Sequence, residues 1–360
     1  MIIGVPKEIK NNEFRVGMLP WMVAELTALG NVVLIESNAG IGAGYSNLDY
    51  QAAGAEIISE AKEIWSGSDM IIKVKEPIKS EYPLLRRNQI LFTYLHLAAS
   101  KECTKALLDS GVTAYAYETL SVNNSLPLLS PMSEIAGKLA VQVGAHYLQA
   151  PYGGNGTLMS GVPGVAPAKV LILGAGAVGL GATAIAEGMR SEVLVLDIDT
   201  QKLNHITDLY RGRVKTLVSN NENLQSALYE ADLVIGGVLL PGAKAPKLVT
   251  LDMIAKMKKG SVLVDVAIDQ GGCFEGSLPT THQDPILKVH NSTLYSVANM
   301  PGAVPVTATK ALTNATFKYI KILADSNLKT AHSLAPELIS SLNIKDGVIT
   351  NQKVEESYNS

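Results

Sequence analysis

The apolar run Lys169–Leu173 stops at Gly174-Ala175-Gly176-Ala177-Val178-Gly179, and a helical pattern then runs towards Met189. No other feature of the chain restricts its fold as much. A strand that turns through glycines straight into a helix opens a dinucleotide-binding βαβ unit. Each glycine has its own task. Gly174 makes the tight turn, Gly176 lets the backbone approach a pyrophosphate, and Gly179 lets helix and strand pack closely. The helix start, with Ala177 and Val178, adds free amides and a positive dipole end for the phosphates. The next apolar run, 192–196, ends at Asp197, close to the expected ~20 residues beyond the glycines. A carboxylate there accepts hydrogen bonds from the ribose hydroxyls and repels a 2′-phosphate. No arginine follows it directly, so NAD is expected over NADP. Without a ligand, Asp197 reads as the N-cap of the next helix.

The same alternation fills the rest of the chain. Runs at 2–5, 32–35, 70–74, 90–94 and 112–117 read as buried strands, with helical patterns at 20–30 and 101–110. A helical pattern at 132–149 and a Gly/Pro-rich, uncharged loop or hairpin at 151–167 follow. A second series of strands is expected at 170–173, 192–196, 214–218, 233–235, 261–265 and 293–297. Helices are expected again at 307–324 and 336–342, then a frayed polar tail beyond Lys353. At 360 residues the chain is too long for one average domain. The expected fold class is α/β: two doubly wound Rossmann-like domains with parallel sheets. The nucleotide domain, 131–305, is inserted into a substrate and catalytic domain formed by 1–130 and 306–360.

Composition narrows the function. A net charge of −3, with no cluster of Lys and Arg, argues against nucleic acid and against an anionic membrane surface as partners. The uncharged stretch 170–186 falls short of a membrane helix and is broken by glycines. The first residues lack the basic and apolar regions of a signal peptide, so a cytoplasmic, soluble protein is expected. A mean hydropathy of +0.18 fits either a well-filled core or apolar surface buried between subunits. Cys103 and Cys273 are far apart and form no metal spacing, so they read as packing residues and no metal site is expected.

Several further segments carry information about the substrate. They are Gly4-Val5-Pro6-Lys7-Glu8 with Arg15, Lys73-Val74-Lys75-Glu76-Pro77, Tyr94-Leu95-His96-Leu97-Ala98, Pro131-Met132-Ser133-Glu134 and Val264-Asp265-Val266-Ala267-Ile268-Asp269-Gln270-Gly271-Gly272. With Ala298-Asn299-Met300-Pro301-Gly302-Ala303-Val304-Pro305, they occur in one order that resembles the L-alanine dehydrogenase family, from Met1 to about Asn327. The resemblance implies reversible, NAD-dependent oxidative deamination of L-alanine to pyruvate and ammonia, in a homo-oligomer that is a hexamer.

Such a reaction needs a cation for the substrate carboxylate and an acid/base to move protons. Arg15 offers a planar fork for bidentate carboxylate binding, and the resemblance gives it that role; alone, it is an arginine in a polar run. Lys75, at a strand end, is implied to contact the substrate carboxylate and carbonyl oxygen. His96, after another strand, is implied to be the catalytic acid/base, since an imidazole ordinarily titrates near ~6.5. Asp269 is implied to be the second catalytic residue and also a contact of the cofactor; alone, it is a turn aspartate before two glycines. The resemblance also assigns cofactor contacts to Ser133, Lys202, Ser219, Val238, Leu239, Ala267, Ile268, Val297, Ala298, Asn299 and Met300. Ser133 can equally cap a helix.

Phe14, Met18-Leu19, Leu180-Gly181, Leu278 and Val306 depart from the family pattern. Leu180-Gly181 removes polar groups expected close to the phosphates. Two other readings stay open. One is a related enzyme, such as a transhydrogenase α-subunit or a saccharopine dehydrogenase. The other is a non-catalytic NAD(H)-binding sensor, which would have no need of both His96 and Asp269.

Overall fold

The computed structural model describes residues 1–238 and 245–359. The chain divides into two compact units, Met1–Met132 with Gly302–Ser360, and Ser133–Pro301. In the first unit the parallel strands are β1 (Ile2–Val5), β2 (Val32–Glu36), β3 (Glu56–Ile58), β4 (Met70–Ile72), β5 (Ile90–Thr93) and β6 (Thr113–Ala116). They lie in the order β3-β2-β1-β4-β5-β6. β4, β5 and β6 are buried along their whole length, as strands covered on both faces must be. Ile64, Trp65, Ile71, Leu91, Leu107 and Ala114 form one of the clusters that cover this sheet.

The second unit repeats the arrangement. Its strands are β7 (Lys169–Leu173), β8 (Glu192–Asp197), β9 (Lys215–Val218), β10 (Leu233–Gly236), β11 (Val262–Asp265), β12 (Ile286–Val289) and β13 (Ser292–Tyr295), in the order β12-β13-β11-β10-β7-β8-β9. Alternation of side chains sorts the core into two layers. Val170, Ile172, Val195, Ile235 and Val264 belong to one cluster, and Leu171, Leu173, Val234, Leu263 and Phe274 to the other.

Two helices meet closely beside β7. They are α1 (Ser130–Tyr147) and α2 (Ala177–Gly188). A Cβ on Gly137 would lie 2.0 Å from the Val178 carbonyl oxygen, and one on Gly181 would lie 2.5 Å from that of Glu134. Gly181 therefore stands where a larger residue would push the helices apart, which gives the departure at Leu180-Gly181 a packing reason.

The chain then returns to the first unit through α3 (Pro305–Asp325). Here the structure corrects the reading of the last segment. The helix expected at 336–342 is only Leu338–Ser341, and the chain continues as β14 (Leu342–Lys345) and β15 (Val348–Ile349). β14 runs antiparallel to β6, and β15 antiparallel to β14. β12 is likewise antiparallel to β13, so each sheet is parallel with an antiparallel edge. The tail is not frayed. Gln352–Asn359 forms α4, whose Val354 is buried and whose Ser357 Oγ donates to the Ala98 carbonyl at 3.1 Å.

Candidate active site

In each unit the strand order reverses beside the first strand, between β1 and β4 and between β7 and β10. In doubly wound sheets, ligands bind outside the carboxyl ends of the strands at that point. Three of the four residues expected to do chemistry follow carboxyl ends of adjacent strands in the first unit, Lys75 and His96 closely and Arg15 after a longer loop. Arg15 follows β1, Lys75 follows β4 and His96 follows β5.

Arg15 is buried, and Glu13 holds it with Nε at 2.7 Å from Oε1 and Nη2 at 2.5 Å from Oε2. Its Nη1 is 3.1 Å from Met132 Sδ. Burial works against the charge, but the hydrogen bond and charge of Glu13 outweigh it and raise the guanidinium pKa. The paired fork fixes the plane of the guanidinium.

Lys75 is held through its backbone. Glu8 Oε1 accepts the Val74 amide at 2.6 Å and the Lys75 amide at 3.3 Å, while the Lys75 carbonyl accepts from Thr93 Oγ1 at 3.0 Å. Glu8 is in turn ion-paired with Lys73, whose Nζ lies 3.3 Å from Glu8 Oε2 and 2.8 Å from Glu81 Oε1. The next residue, Glu76, pairs with Lys10. Burial opposes its ionisation, yet His96, Lys75 and Lys10 together hold its carboxyl below the ordinary value. Lys75 and His96 thus both lie within electrostatic reach of Glu76.

His96 has φ 48° and ψ 38°, a left-handed conformation that costs a non-glycine residue about 1–2 kcal/mol. The Glu118 carboxylate accepts the His96 amide at 2.6 Å and the Leu95 amide at 3.2 Å. The Tyr94 ring lies parallel to the imidazole, with centroids 5.8 Å apart, and its Oη donates to the Leu128 carbonyl at 2.6 Å. Arg15 is near enough to Tyr94 to oppose the rise that burial imposes on the phenol pKa. Arg15, Lys75 and His96 therefore share one end of the first sheet, joined through Tyr94 and Glu76.

Asp269 belongs to the second unit, in the single 3-10 turn Ile268–Gln270, and is exposed. It does not end a strand, because β11 stops at Asp265. Asp265 closes the following turn by accepting from Cys273 N, Phe274 N and Ser277 Oγ at 3.1, 3.2 and 2.5 Å. Ala267 and Ile268 are buried in that turn.

The glycine turn lies between β7 and α2, as expected. Gly174 has φ +101°, a conformation that other residues rarely adopt. A Cβ on Gly176 would meet nothing within 4 Å, so the backbone there is open to an approaching group. Gly176 is also the N-cap of α2 and brings no side chain to the helix amides. Asp197 Oδ2 accepts the Ala175 amide at 2.6 Å and Oδ1 the Asp199 amide at 2.8 Å. The cap of the next helix is Asp199, so the capping alternative for Asp197 fails. Lys202 is exposed, 3.9 Å from Asp199, and the Ser219 amide donates to the Asp197 carbonyl at 2.9 Å. Val238 packs at the turn, whereas Leu239 lies outside the described residues. Ser133 is in the first turns of α1, next to Glu134, which packs on Gly181. Val297 and Ala298 pair with Thr280, Asn299 is left-handed at φ 62°, and Met300 is buried.

A Cβ on Gly179 would lie 1.8 Å from the Gly174 carbonyl oxygen. Gly179→Ala is therefore expected to lower the stability of the second unit by about 1–3 kcal/mol, as overpacking does. Chemical denaturation followed by far-ultraviolet circular dichroism reads this directly. An unchanged transition would mean the turn relaxes without loss.

Both cysteine thiols are buried and pushed up to about 12 by desolvation, which removes them as nucleophiles near neutrality. Among the described residues no helix is long and apolar enough to cross a membrane. Sequence reasoning missed Glu13 and Glu118 as parts of this site, and quoted Tyr94 only as part of the His96 motif. Glu8, Lys73 and Glu76 were inside quoted motifs but had been given no task. Glu118 carried no signal, because only the register of β5 beside β6 brings it to His96.

Comparison with known proteins matches this arrangement over nearly the whole chain. The family described as alanine dehydrogenase/PNT matches with its N-terminal domain over residues 4–136 and its C-terminal domain over 140–352. An alanine dehydrogenase of Mycolicibacterium smegmatis is 53% identical, covering 98% of this chain and 96% of that protein. A solved L-alanine dehydrogenase is 49% identical, with a TM-score of 0.95 over 100% of this chain and 99% of its own. A transhydrogenase structure from Sinorhizobium meliloti, at 24% identity and a TM-score of 0.81, covers 98% and 99% of the two chains and shares the fold alone. With both domain models matched and nearly its whole length covered by an alanine dehydrogenase at 53% identity, the chain belongs to the alanine dehydrogenase family.

Proposed function

We propose that the chain catalyses the NAD-dependent, reversible oxidative deamination of L-alanine to pyruvate and ammonia. One observation carries this reading: Arg15, Lys75 and His96 stand at the carboxyl ends of three adjacent strands, where an amino acid needs two cations and a proton shuttle. The relatives named alanine dehydrogenase support the choice of substrate.

The second unit fits a dinucleotide. The uncapped start of α2 and the open backbone at Gly176 suit a pyrophosphate, and Asp197 at the turn suits ribose hydroxyls. NAD, when bound, supplies the hydride acceptor. By the family resemblance, Ser133, Lys202, Ser219, Val238, Ala267, Ile268, Asp269, Val297, Ala298, Asn299 and Met300 line its site. The resemblance also supports a hexameric assembly and a cytoplasmic location.

By the family resemblance, Arg15 supplies a positive charge for the substrate carboxylate, and Lys75 adds a second. Lys75 also stabilises negative charge developing on the oxygen of the 2-oxo acid. Once Cα is oxidised, the substrate is an imine. His96 takes a proton from water as the C–O bond forms on the protonated imine, and gives it to the nitrogen. It then takes the hydroxyl proton as the C=O bond forms and the C–N bond breaks. Ammonia leaves with the bonding pair. Asp269 takes the second acid–base role by the same resemblance.

The test is purified protein given pyruvate, ammonium and NADH. Oxidation of NADH with equimolar alanine is expected, with NADPH a poor substitute. NADH binding without turnover would overturn the proposal in favour of a sensor.

A further inference from the structure

The geometry points to Glu118 as a positioning residue for His96, acting through the backbone of the loop that carries the imidazole. This inference rests on the proton-shuttle role proposed for His96.

β5 and β6 pair in parallel, with Thr93 opposite Ala116. Past these residues both strands leave the sheet. β5 enters the loop Tyr94-Leu95-His96, and β6 enters the single 3-10 turn Tyr117–Thr119. The register thus sets Glu118 beside the loop. Two successive amides, Leu95 N–H and His96 N–H, converge on its carboxylate: Leu95 at 3.2 Å from both oxygens, and His96 at 2.6 Å from Oε1. Successive amides that turn to one side form a concave site for an anion. Here the anion is supplied from within the chain.

The arrangement explains why His96 is left-handed. A histidine at φ 48° stays there only if its surroundings determine it. Glu118 rewards the conformation that turns the His96 amide towards it. The parallel Tyr94 ring, anchored to the Leu128 carbonyl, limits the imidazole on one side. Other supports hold the neighbouring residues. Ser357 reaches Ala98, and Glu8 reaches Val74 and Lys75. Among the described residues, only Glu118 bonds the His96 backbone from another segment by a side chain. Loss of its carboxylate frees the loop to adopt ordinary backbone angles, which moves the imidazole and leaves Arg15 and Lys75 where they are.

The test compares Glu118→Leu and Glu118→Gln in the full-length enzyme. Glu118→Leu is expected to lower kcat by about 10²-fold, the order of loss for an ångström of misplacement, with KM for pyruvate and Kd for NADH within about threefold. Glu118→Gln keeps one acceptor oxygen and is expected to fall between Leu and wild type. In a His96→Ala background, Glu118→Leu is expected to change the residual rate by no more than about twofold, because residues acting through one group are not additive. Three results would overturn the inference. They are a wild-type kcat in Glu118→Leu, an equal loss of kcat in the His96→Ala background, and NADH binding weakened as much as turnover is slowed. If His96→Ala itself turns over normally, the role of His96 fails instead, and the two failures are told apart.

Discussion

Replacing His96 is expected to slow pyruvate reduction by about 10²–10⁴-fold, the range that a positioned acid/base contributes, while NADH binding stays unchanged. The expectation follows from where the imidazole stands. It is half-buried at the end of β5, stacked on Tyr94 and within the electrostatic reach of Glu76, and so is not a solvated surface group. The choice of replacement matters because the backbone is left-handed. Alanine resists that conformation, whereas asparagine adopts it readily. His96→Asn therefore removes the proton shuttle and keeps the loop, and His96→Ala tests the side chain with the loop under added strain. Both are expected to lose kcat by similar factors. Stopped-flow measurement of NADH binding beside steady-state turnover separates the terms. Near-normal turnover in His96→Asn would remove the histidine from the mechanism.

The second large effect is structural. Lys73 is 1% exposed and lies between Glu8 and Glu81, both themselves buried. Lys73→Met leaves two carboxylates facing each other without the cation, and breaking a buried pair from one side costs about 3–5 kcal/mol. Adding Glu8→Gln and Glu81→Gln is expected to recover most of the loss, because the triple variant buries no uncompensated charge. Both tryptophans, Trp21 and Trp65, belong to the first unit, so fluorescence during denaturation reports on that unit. The pH dependence has a definite sign. Burial works against the Lys73 charge, but Glu8 and Glu81 outweigh it, and the folded pKa lies above the ordinary lysine value of about 10.4. Its contribution is therefore complete below that ordinary value and is lost as pH rises through the folded one. Lys73→Met should flatten this alkaline loss. A wild-type transition in Lys73→Met, or an unchanged alkaline limb, would show the triad to be neutral.

The sheet centres were legible in sequence because β4, β5, β7, β10 and β11 are uninterrupted apolar runs bounded by turns. The edges were not. β3, β12 and β14 are three or four residues long and partly polar, and β15 has only two residues, so no period separates them from loop. Leu342–Lys345 continues the apolar pattern of a helix and becomes a strand only because β6 offers it an unpaired edge. The site divides in the same way. Gly174, Gly176, Gly179 and Asp197 are read from their own spacing. Arg15, Lys75 and His96 needed a family resemblance, since each is an ordinary residue locally. Glu118 needed the register of two strands.

The first unit is made from two pieces of chain, with the whole second unit between them. On a ribosome this imposes an order. β6 emerges more than two hundred residues before β14, its antiparallel neighbour. At about 5–20 residues per second the wait is roughly tens of seconds. The intervening unit is contiguous and can close during that time. β6 meanwhile remains an unpaired edge, the kind of surface that captures strands of other nascent chains. The strand that leads into Glu118 is thus among the last to gain its neighbour. Slower synthesis at low temperature, or a chaperone that covers strand edges, should raise the yield of active enzyme more than the yield of chain.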